Sequence, residues 1–218
     1  MARGENTIKN SNNSFHEQFP ALVLAAGASS RMGRPKALLE TGHGTLLDRA
    51  ILQARHLSAS VTVATGAWYP LVRFRGRVQP SRWLPVDDWM EGMSASLRAG
   101  LLSLGPEAKG VFVLLADQPL LDANALVAMG AAARCVPDHA VAADYGNRPG
   151  VPAYLPRWLW PRVMELEGDR GAAAVLRWAG ATRVGITGVF DDIDTPKDWQ
   201  AVRKRLNQTG QTTRQSRP

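Results

Sequence analysis

The chain has a single cysteine, Cys135, few histidines, and no apolar block in its first nineteen residues. A lone thiol forms no internal disulfide and has no second thiol with which to build a zinc or redox pair. His43, His56 and His139 show no metal-ligand spacing with one another or with Cys135, so they read as loop or surface residues. The longest apolar stretch near the middle, Val111 to Ala116, is about a third of the length a bilayer-spanning helix needs. Residues 1–19 carry Asn, Ser, Glu and Lys without an apolar block and cannot supply the hydrophobic part of a secretory signal. A cytoplasmic protein with no membrane partner is expected.

What the chain has in excess is positive charge, +7 overall. Five of those charges, Arg203, Lys204, Arg205, Arg214 and Arg217, lie in the last sixteen residues with no acid among them. The first nineteen residues balance Arg3 and Lys9 against Glu5 and Glu17. The body is therefore nearly neutral, and a basic end after a terminal helix reads as solubilising rather than as a nucleic-acid surface. The expected organisation is one domain over residues 20–206, with disordered tails at 1–19 and 207–218.

Along the body, apolar strand-like runs alternate with helical spacing. Phe19 to Ala25 is a short strand that enters a Gly/Ser loop, Gly27 to Lys36. Leu46, Leu47, Ala50, Ile51, Ala54 and Leu57 recur at helical spacing, and Ser60 to Ala64 follows as a β-branched strand. Residues 68–85 hold three prolines and are expected to be irregular with one strand. A helix marked by Met93, Leu97, Leu101 and Leu104 precedes the strand Gly110 to Ala116. Asp122 caps the next helix, Ala140 to Tyr145 is a strand, and the glycines and prolines between Gly146 and Pro161 break any long element. Short helices, a strand at Arg183 to Thr187, and a terminal helix starting at Thr195-Pro196 with Asp198 complete the order. This pattern predicts a single-domain α/β fold, a mainly parallel twisted sheet with helices on both faces and right-handed crossovers.

In such sheets ligands bind beyond the carboxyl ends of strands. The first loop offers glycines for a tight turn, backbone amides from Ala28 to Arg31, and the cations Arg31 and Lys36, which suits a polyphosphate. It fits neither the P-loop nor the dinucleotide glycine pattern. An ordinary Gly/Ser turn would account for the glycines alone. Asp117 follows an apolar run directly and is placed to hold Mg²⁺ against phosphate oxygens, or else merely caps the turn at Pro119. Asp194 can serve the same ion or only the helix start at Thr195. Ser29 and Ser30 lack a histidine and acid pattern, so serine nucleophilic catalysis is unsupported. The seven tryptophans, Trp158 and Trp160 among them, are expected mainly in packing, with stacking on a flat ring as the alternative.

Taken together, Leu24-Ala25-Ala26-Gly27 with Ser30-Arg31-Met32-Gly33 and Lys36, Gly92 to Leu97, Asp117-Gln118-Pro119, Gly168-Asp169-x-Gly171-Ala172 and Asp192-Ile193-Asp194-Thr195-Pro196 resemble the MobA-like nucleotidyltransferase family. Within it, the molybdenum cofactor cytidylyltransferases are most similar. The resemblance implies a Rossmann-like nucleotidyltransferase fold and transfer of CMP from CTP to a phosphorylated acceptor, molybdopterin or the molybdenum cofactor, with pyrophosphate leaving. It implies that Ala25, Ala26, Gly27, Ala28, Ser29, Ser30, Arg31, Lys36, Gly66 and Ser94 bind the nucleotide. Lys36, Arg31 and Asp117 would be catalytic, and Asp117 and Asp194 would hold Mg²⁺. A client molybdoenzyme is a further implied partner. The family's cytidylyl members tend to carry Ala-Ala-Gly where guanylyl-transferring relatives carry Ala-Gly-Gly, so Ala26 favours cytosine. Three positions depart from the pattern: Val86 for an asparagine, Val151 for a histidine and Ala173 for an arginine. Guanylyl transfer, or a non-catalytic protein that carries the nucleotide or cofactor to a client, are the alternatives.

Overall fold

The computed structural model describes residues 18–215. Seven strands form one sheet: β1 (Ala21–Ala25), β2 (Val61–Thr65), β3 (Arg82–Pro85), β4 (Gly110–Leu115), β5 (Val141–Asp144), β6 (Pro149–Pro156) and β7 (Thr182–Val184). Their spatial order is β3-β2-β1-β4-β6-β5-β7. The ladders joining β3, β2, β1 and β4 are parallel, as is β5 to β7, while β6 runs antiparallel to both its neighbours. The helices are α1 (Leu46–Arg55), α2 (Leu71–Arg75), α3 (Met93–Leu102), α4 (Ala123–Cys135), α5 (Trp160–Met164), α6 (Ala173–Trp178) and α7 (Pro196–Gln215).

The strands read as unbroken apolar runs because both faces of the sheet are covered. Alternate residues divide between two cores. Val23, Val63, Phe112 and Leu114 pack with Ile51 of α1 and Leu126 and Met129 of α4. Leu22, Leu24, Val111 and Val113 pack with Leu97 of α3, Val163 of α5 and Leu176 of α6. At the N-terminus of α1, Thr45 and Asp48 form a reciprocal capping box. The buried Asp48 also accepts from the amides of Arg77 and Val78, which ties the irregular segment after α2 to this helix. The expected one-domain, mainly parallel architecture is what forms.

Besides the short helix α2 in segment 68–85, which was expected to be irregular with one strand, three details differ from the pattern read in the sequence. The segment from Gly146 to Pro161, expected to be broken, contains the eight-residue strand β6. Its prolines are tolerated because Pro149 and Pro156 close its ends, while Val151 and Pro152 fall where the β5 register shifts between Ala142 and Ala143, so no ladder amide is lost from the strand centre. Gln18 and Phe19, expected in the N-terminal tail, belong to the domain. The carbonyl of Gln18 accepts from the amide of Lys109, and Phe19 is buried with its ring 6.1 Å from that of Tyr154. The rest of that expected tail, residues 1–17, lies outside the described residues. The terminal helix, expected to end at Leu206, continues as α7 through Gln215, there being no proline between 197 and 217 to stop it. Of the second expected tail, 216–218 lie outside the described residues.

Gly188 is the position where backbone freedom is most needed. Its φ is +92°, and a Cβ there would lie 2.1 Å from the carbonyl oxygen of Leu120. Left-handed backbone costs a non-glycine residue about 1–2 kcal/mol, and displacing packed neighbours adds about 1–3 kcal/mol. Gly188→Ala should therefore lower Tm by about 5–15 °C for a domain of this size, read by thermal circular dichroism. An unchanged Tm would show that the turn has room the structure does not indicate.

Candidate active site

A cleft of about 590 Å³ opens at the carboxyl ends of β1 and β4, where the parallel topology predicts a ligand. Its floor is the segment after β1. Ala26 is buried, Ser29 adopts a left-handed conformation with φ 57°, and Gly33 another with φ 66°. These two reversals bracket a single 3-10 turn, Ser30–Met32. The folded-back loop is fastened twice: the amide of Lys36 donates to Ser29 Oγ at 3.1 Å, and Trp68 Nε1 donates to the Ala28 carbonyl at 2.9 Å. Among the described residues nothing accepts from the amides of Gly27, Ala28 and Ser29, which leaves a short row of donors for an anion.

The charged end of the cleft gathers residues from three distant segments. Lys36 Nζ lies 2.9 Å from Asp117 Oδ2 and 3.0 Å from Asp194 Oδ1, and Arg31 lies 3.0 Å from the other Asp194 oxygen. Burial by itself would lower the Lys36 pKa, but the Asp117 and Asp194 carboxylates outweigh it and hold the ammonium above its ordinary value. Lys36 is charged at any physiological pH. Asp192, although exposed to the cleft, has its carboxyl pushed up by the desolvation of the wall, with the charges of Asp117 and Asp194 adding and a hydrogen bond with Gln118 opposing.

Apolar packing beneath the cleft explains why these segments meet. Met32 and Leu39, which flank Lys36, join Ile193, which precedes Asp194, against Trp199, Val202 and Leu206 of α7. The three- and four-residue steps from Trp199 to Leu206 give α7 one apolar stripe, and that stripe clamps the loop after β1 to the loop before α7. Thr195 and Asp198 start the helix with reciprocal bonds, Thr195 N to Asp198 Oδ2 at 2.8 Å and Asp198 N to Thr195 Oγ1 at 3.3 Å. Asp194 is thereby carried at a fixed helix start.

Asp117 Oδ1 is buried with no hydrogen-bond partner among the described residues, an acceptor left open beside the cleft. Asp117 and Asp194 present hard oxygen atoms, and no group of three or more His, Cys, Asp or Glu residues able to hold a metal occurs among the described residues. Such a pair fits a divalent ion of the Mg²⁺ type, which takes one or two carboxylates and completes its shell with phosphate oxygens and water.

Of the residues expected to bind nucleotide, Ala25, Ala26, Gly27, Ala28, Ser29, Arg31 and Lys36 line the cleft, together with Asp117 and Asp194. Three do not. Ser30 is exposed and outside the cleft lining. Gly66 lies behind the floor, where a Cβ would come within 2.7 Å of the Ala26 carbonyl oxygen and 2.6 Å of Trp89. It is there because nothing larger fits. Ser94 is fully buried, its amide donating to the Gly168 carbonyl and its hydroxyl accepting from Arg98 at 3.1 Å, so it joins α3 to the 165–171 segment. The cleft is also lined by Trp68, Trp89, Met90, Met93, Ser96 and Asp169, none of them among the expected binding residues. Met93, Ser96 and Asp169 fall within the motif segments that carry the family resemblance, whereas Trp68, Trp89 and Met90 do not, and the φ of +106° at Gly92 allows its close approach to Gly168. Trp158 and Trp160, considered for ring stacking, are outside the cleft lining, and Trp160 packs in the core. His43 and His56 are exposed, and His139 pairs with Thr182 Oγ1 at 2.9 Å.

Residues 21–184 match the model of the MobA-like NTP transferase domain. The chain belongs to this family of nucleotidyltransferases. The purine catabolism protein PucB of Bacillus subtilis is 32% identical over 208 residues, spanning 85% of this chain and 96% of its own. A molybdenum cofactor guanylyltransferase of Sinorhizobium fredii is 29% identical over 86% of this chain and 92% of its own. The crystal structure of an Rv0371c homologue from a Mycobacterium species, strain JC1, superposes with a TM-score of 0.75 at 27% identity, covering 88% of this chain and 98% of that one. The family match ends before Asp194, so the part of the site that α7 supports stands on the geometry described above. No helix among the described residues is long and apolar enough to cross a membrane.

Proposed function

We propose that the protein transfers CMP from CTP to a phosphorylated, molybdopterin-type acceptor, with Mg²⁺ at the charged end of the cleft and pyrophosphate as the second product. The observation that carries this reading is Lys36, held between Asp117 and Asp194 beside a row of free loop amides. An oxygen of the acceptor phosphate attacks the α-phosphorus, a new phosphorus–oxygen bond forms, and the bond to the β-phosphate breaks. Such a reaction asks the protein for alignment and charge neutralisation rather than a covalent intermediate. The amides of Gly27 to Ser29 and the side chains of Lys36 and Arg31 take up the negative charge of the triphosphate. Asp117, assisted by Asp194, would hold the divalent ion, which supplies further positive charge to the phosphate oxygens. Trp68, Trp89 and Met90 form the apolar wall available to flat rings. We place the reaction in the cytoplasm, upstream of a molybdoenzyme that receives the product.

The choice of base rests on Ala26. It is buried in the cleft floor at 5% exposure, and its methyl narrows the space facing the base, which favours the single ring of cytosine. A steric difference of this size is worth about 10- to 200-fold in kcat/KM, so a clear preference for CTP with residual use of GTP is expected. Ala26→Gly should shift competitive turnover of equal CTP and GTP toward GTP. Wild-type preference for GTP would overturn the cytidylyl assignment and leave the transferase standing. Guanylyl transfer is the second reading, favoured by the relative of that name. Of the three departures from the family pattern, Val86 is buried in the apolar cluster under β2 and α3, and the Val151 carbonyl accepts from Tyr145. Neither faces the cleft, so neither argues for a non-catalytic carrier. The direct test is pyrophosphate release with each of the four NTPs, Mg²⁺ and a pterin monophosphate. Release with CTP above all others supports the reading, and release with none supports the carrier.

A further inference from the structure

Gln118 follows Asp117, is 1% exposed, and is outside the cleft lining. Its Nε2 donates to Tyr145 Oη at 2.6 Å and to the Val189 carbonyl at 3.1 Å. A carbonyl can only accept, so Val189 dictates which end of the Gln118 amide faces it. Tyr145 Oη in turn donates to the Val151 carbonyl at 2.6 Å, which leaves its lone pair for Gln118. The three partners come from the residue after β5, the irregular centre of β6, and the loop that leads to α7. The same loop is held at two more points. The Phe190 ring meets Tyr145 edge-on, 5.2 Å between centroids, and the amide of Ile193 donates to the Asp117 carbonyl at 3.2 Å. Asp117 and Gln118 thus grip the segment 189–194 at both ends, one by its main chain and the other by its side chain. Asp194 emerges from that grip to meet Lys36 and Arg31.

From this geometry we infer that Gln118 is a positioning residue, fixing the segment 189–194 so that Asp194 stands opposite Asp117 at the charged end of the cleft. The inference rests on the nucleotidyl-transfer reading for its consequence, not for its geometry. Losing the donor frees Val189 and leaves Tyr145 Oη short of one bond. The segment then samples positions in which Asp194 no longer shares Lys36 with Asp117. Supports of this kind behind a carboxylate that would hold a metal typically change affinity or activity by about 10- to 100-fold.

The test uses Gln118→Met, of similar volume but without a donor, and Tyr145→Phe, which spares the Val189 bond and removes the hydroxyl that accepts from Gln118 and donates to Val151. Hydrogen exchange of the nucleotide-free protein reads the grip directly. In Gln118→Met, peptides covering 189–194 should exchange about tenfold faster, as expected for one lost buried bond, while peptides from β1 and β4 keep their protection. Mn²⁺ binding in the presence of CTP, followed by electron paramagnetic resonance, should weaken about tenfold. Turnover should fall by about the same factor with KM for CTP changed little, and raised Mg²⁺ should restore it in part. Tyr145→Phe should show the smaller effect on every readout. Unchanged exchange at 189–194 in Gln118→Met would overturn the inference, as would faster exchange with wild-type Mn²⁺ affinity and turnover. The exchange measurement needs no turnover, so a protein that transfers no nucleotide would refute the proposed function while still reporting whether Gln118 holds the segment.

Discussion

Asp117→Asn should lower turnover by a factor of about 10² or more while leaving the fold intact. The two side chains are nearly the same shape, and Asn keeps an oxygen able to accept from Lys36 Nζ, which lies 2.9 Å from Asp117 Oδ2. What is lost is charge. The open acceptor of Asp117, buried and without a partner in the described structure, is the atom best placed to ligate a divalent cation, and an amide is a much poorer ligand for a hard ion. The Asp117 carbonyl still receives the Ile193 amide, so the segment leading to Asp194 keeps its main-chain attachment in the variant. Steady-state kinetics across a range of Mg²⁺ concentrations, with circular dichroism as the control on folding, checks both halves. Near-normal Mg²⁺-dependent turnover in the variant would remove Asp117 from the metal site.

Lys36→Ala should cost about 10²- to 10³-fold in kcat/KM for CTP, the size of effect seen when a preorganised charge-stabilising donor is removed. Lys36 is the cation between two carboxylates. Its removal takes positive charge from the triphosphate and leaves Asp117 and Asp194 repelling each other across the gap. Arg31→Ala is the internal comparison. The Arg31 side chain is 71% exposed and, among the described residues, pairs with Asp194 alone, so solvent screening limits its part, and a loss of about tenfold or less is expected. Calorimetric titration with CTP, alongside kcat and KM, separates binding from chemistry. Equal losses for the two variants would mean that exposure does not rank these cations as the geometry does.

Much of this arrangement was legible in the sequence because parallel sheets concentrate chemistry at strand ends. Asp117 directly after the run ending at Ala116, and Lys36 shortly after Ala25, stand where a β-strand delivers a side chain to the cleft. That Lys36 meets both Asp117 and Asp194 depends on contacts separated by 81 and 158 positions, which no local pattern records. The family resemblance supplied that link. Ser94 and Gly66 were misread because a small residue in a motif looks the same whether it approaches a ligand or another backbone. Gly66 makes room for Trp89 and Ala26, and Ser94 for Gly168. The apolar wall of Trp68, Trp89 and Met90 was hidden for a different reason. Large apolar residues are most often core, and only the fold places these three at a cleft. The strand β6 was hidden by its prolines, which its bulge accommodates.

The proposed reaction moves the CMP group of CTP, with its α-phosphorus, to an acceptor phosphate in this cleft. The measurement that addresses it most directly is incubation of the protein with CTP labelled at the α-phosphorus, Mg²⁺ and a pterin monophosphate, with the products separated and counted. Label is expected on the pterin, formed one for one with unlabelled pyrophosphate and abolished or much reduced in Lys36→Ala. Label remaining in CTP, or appearing only as free CMP whether or not the acceptor is present, would contradict it.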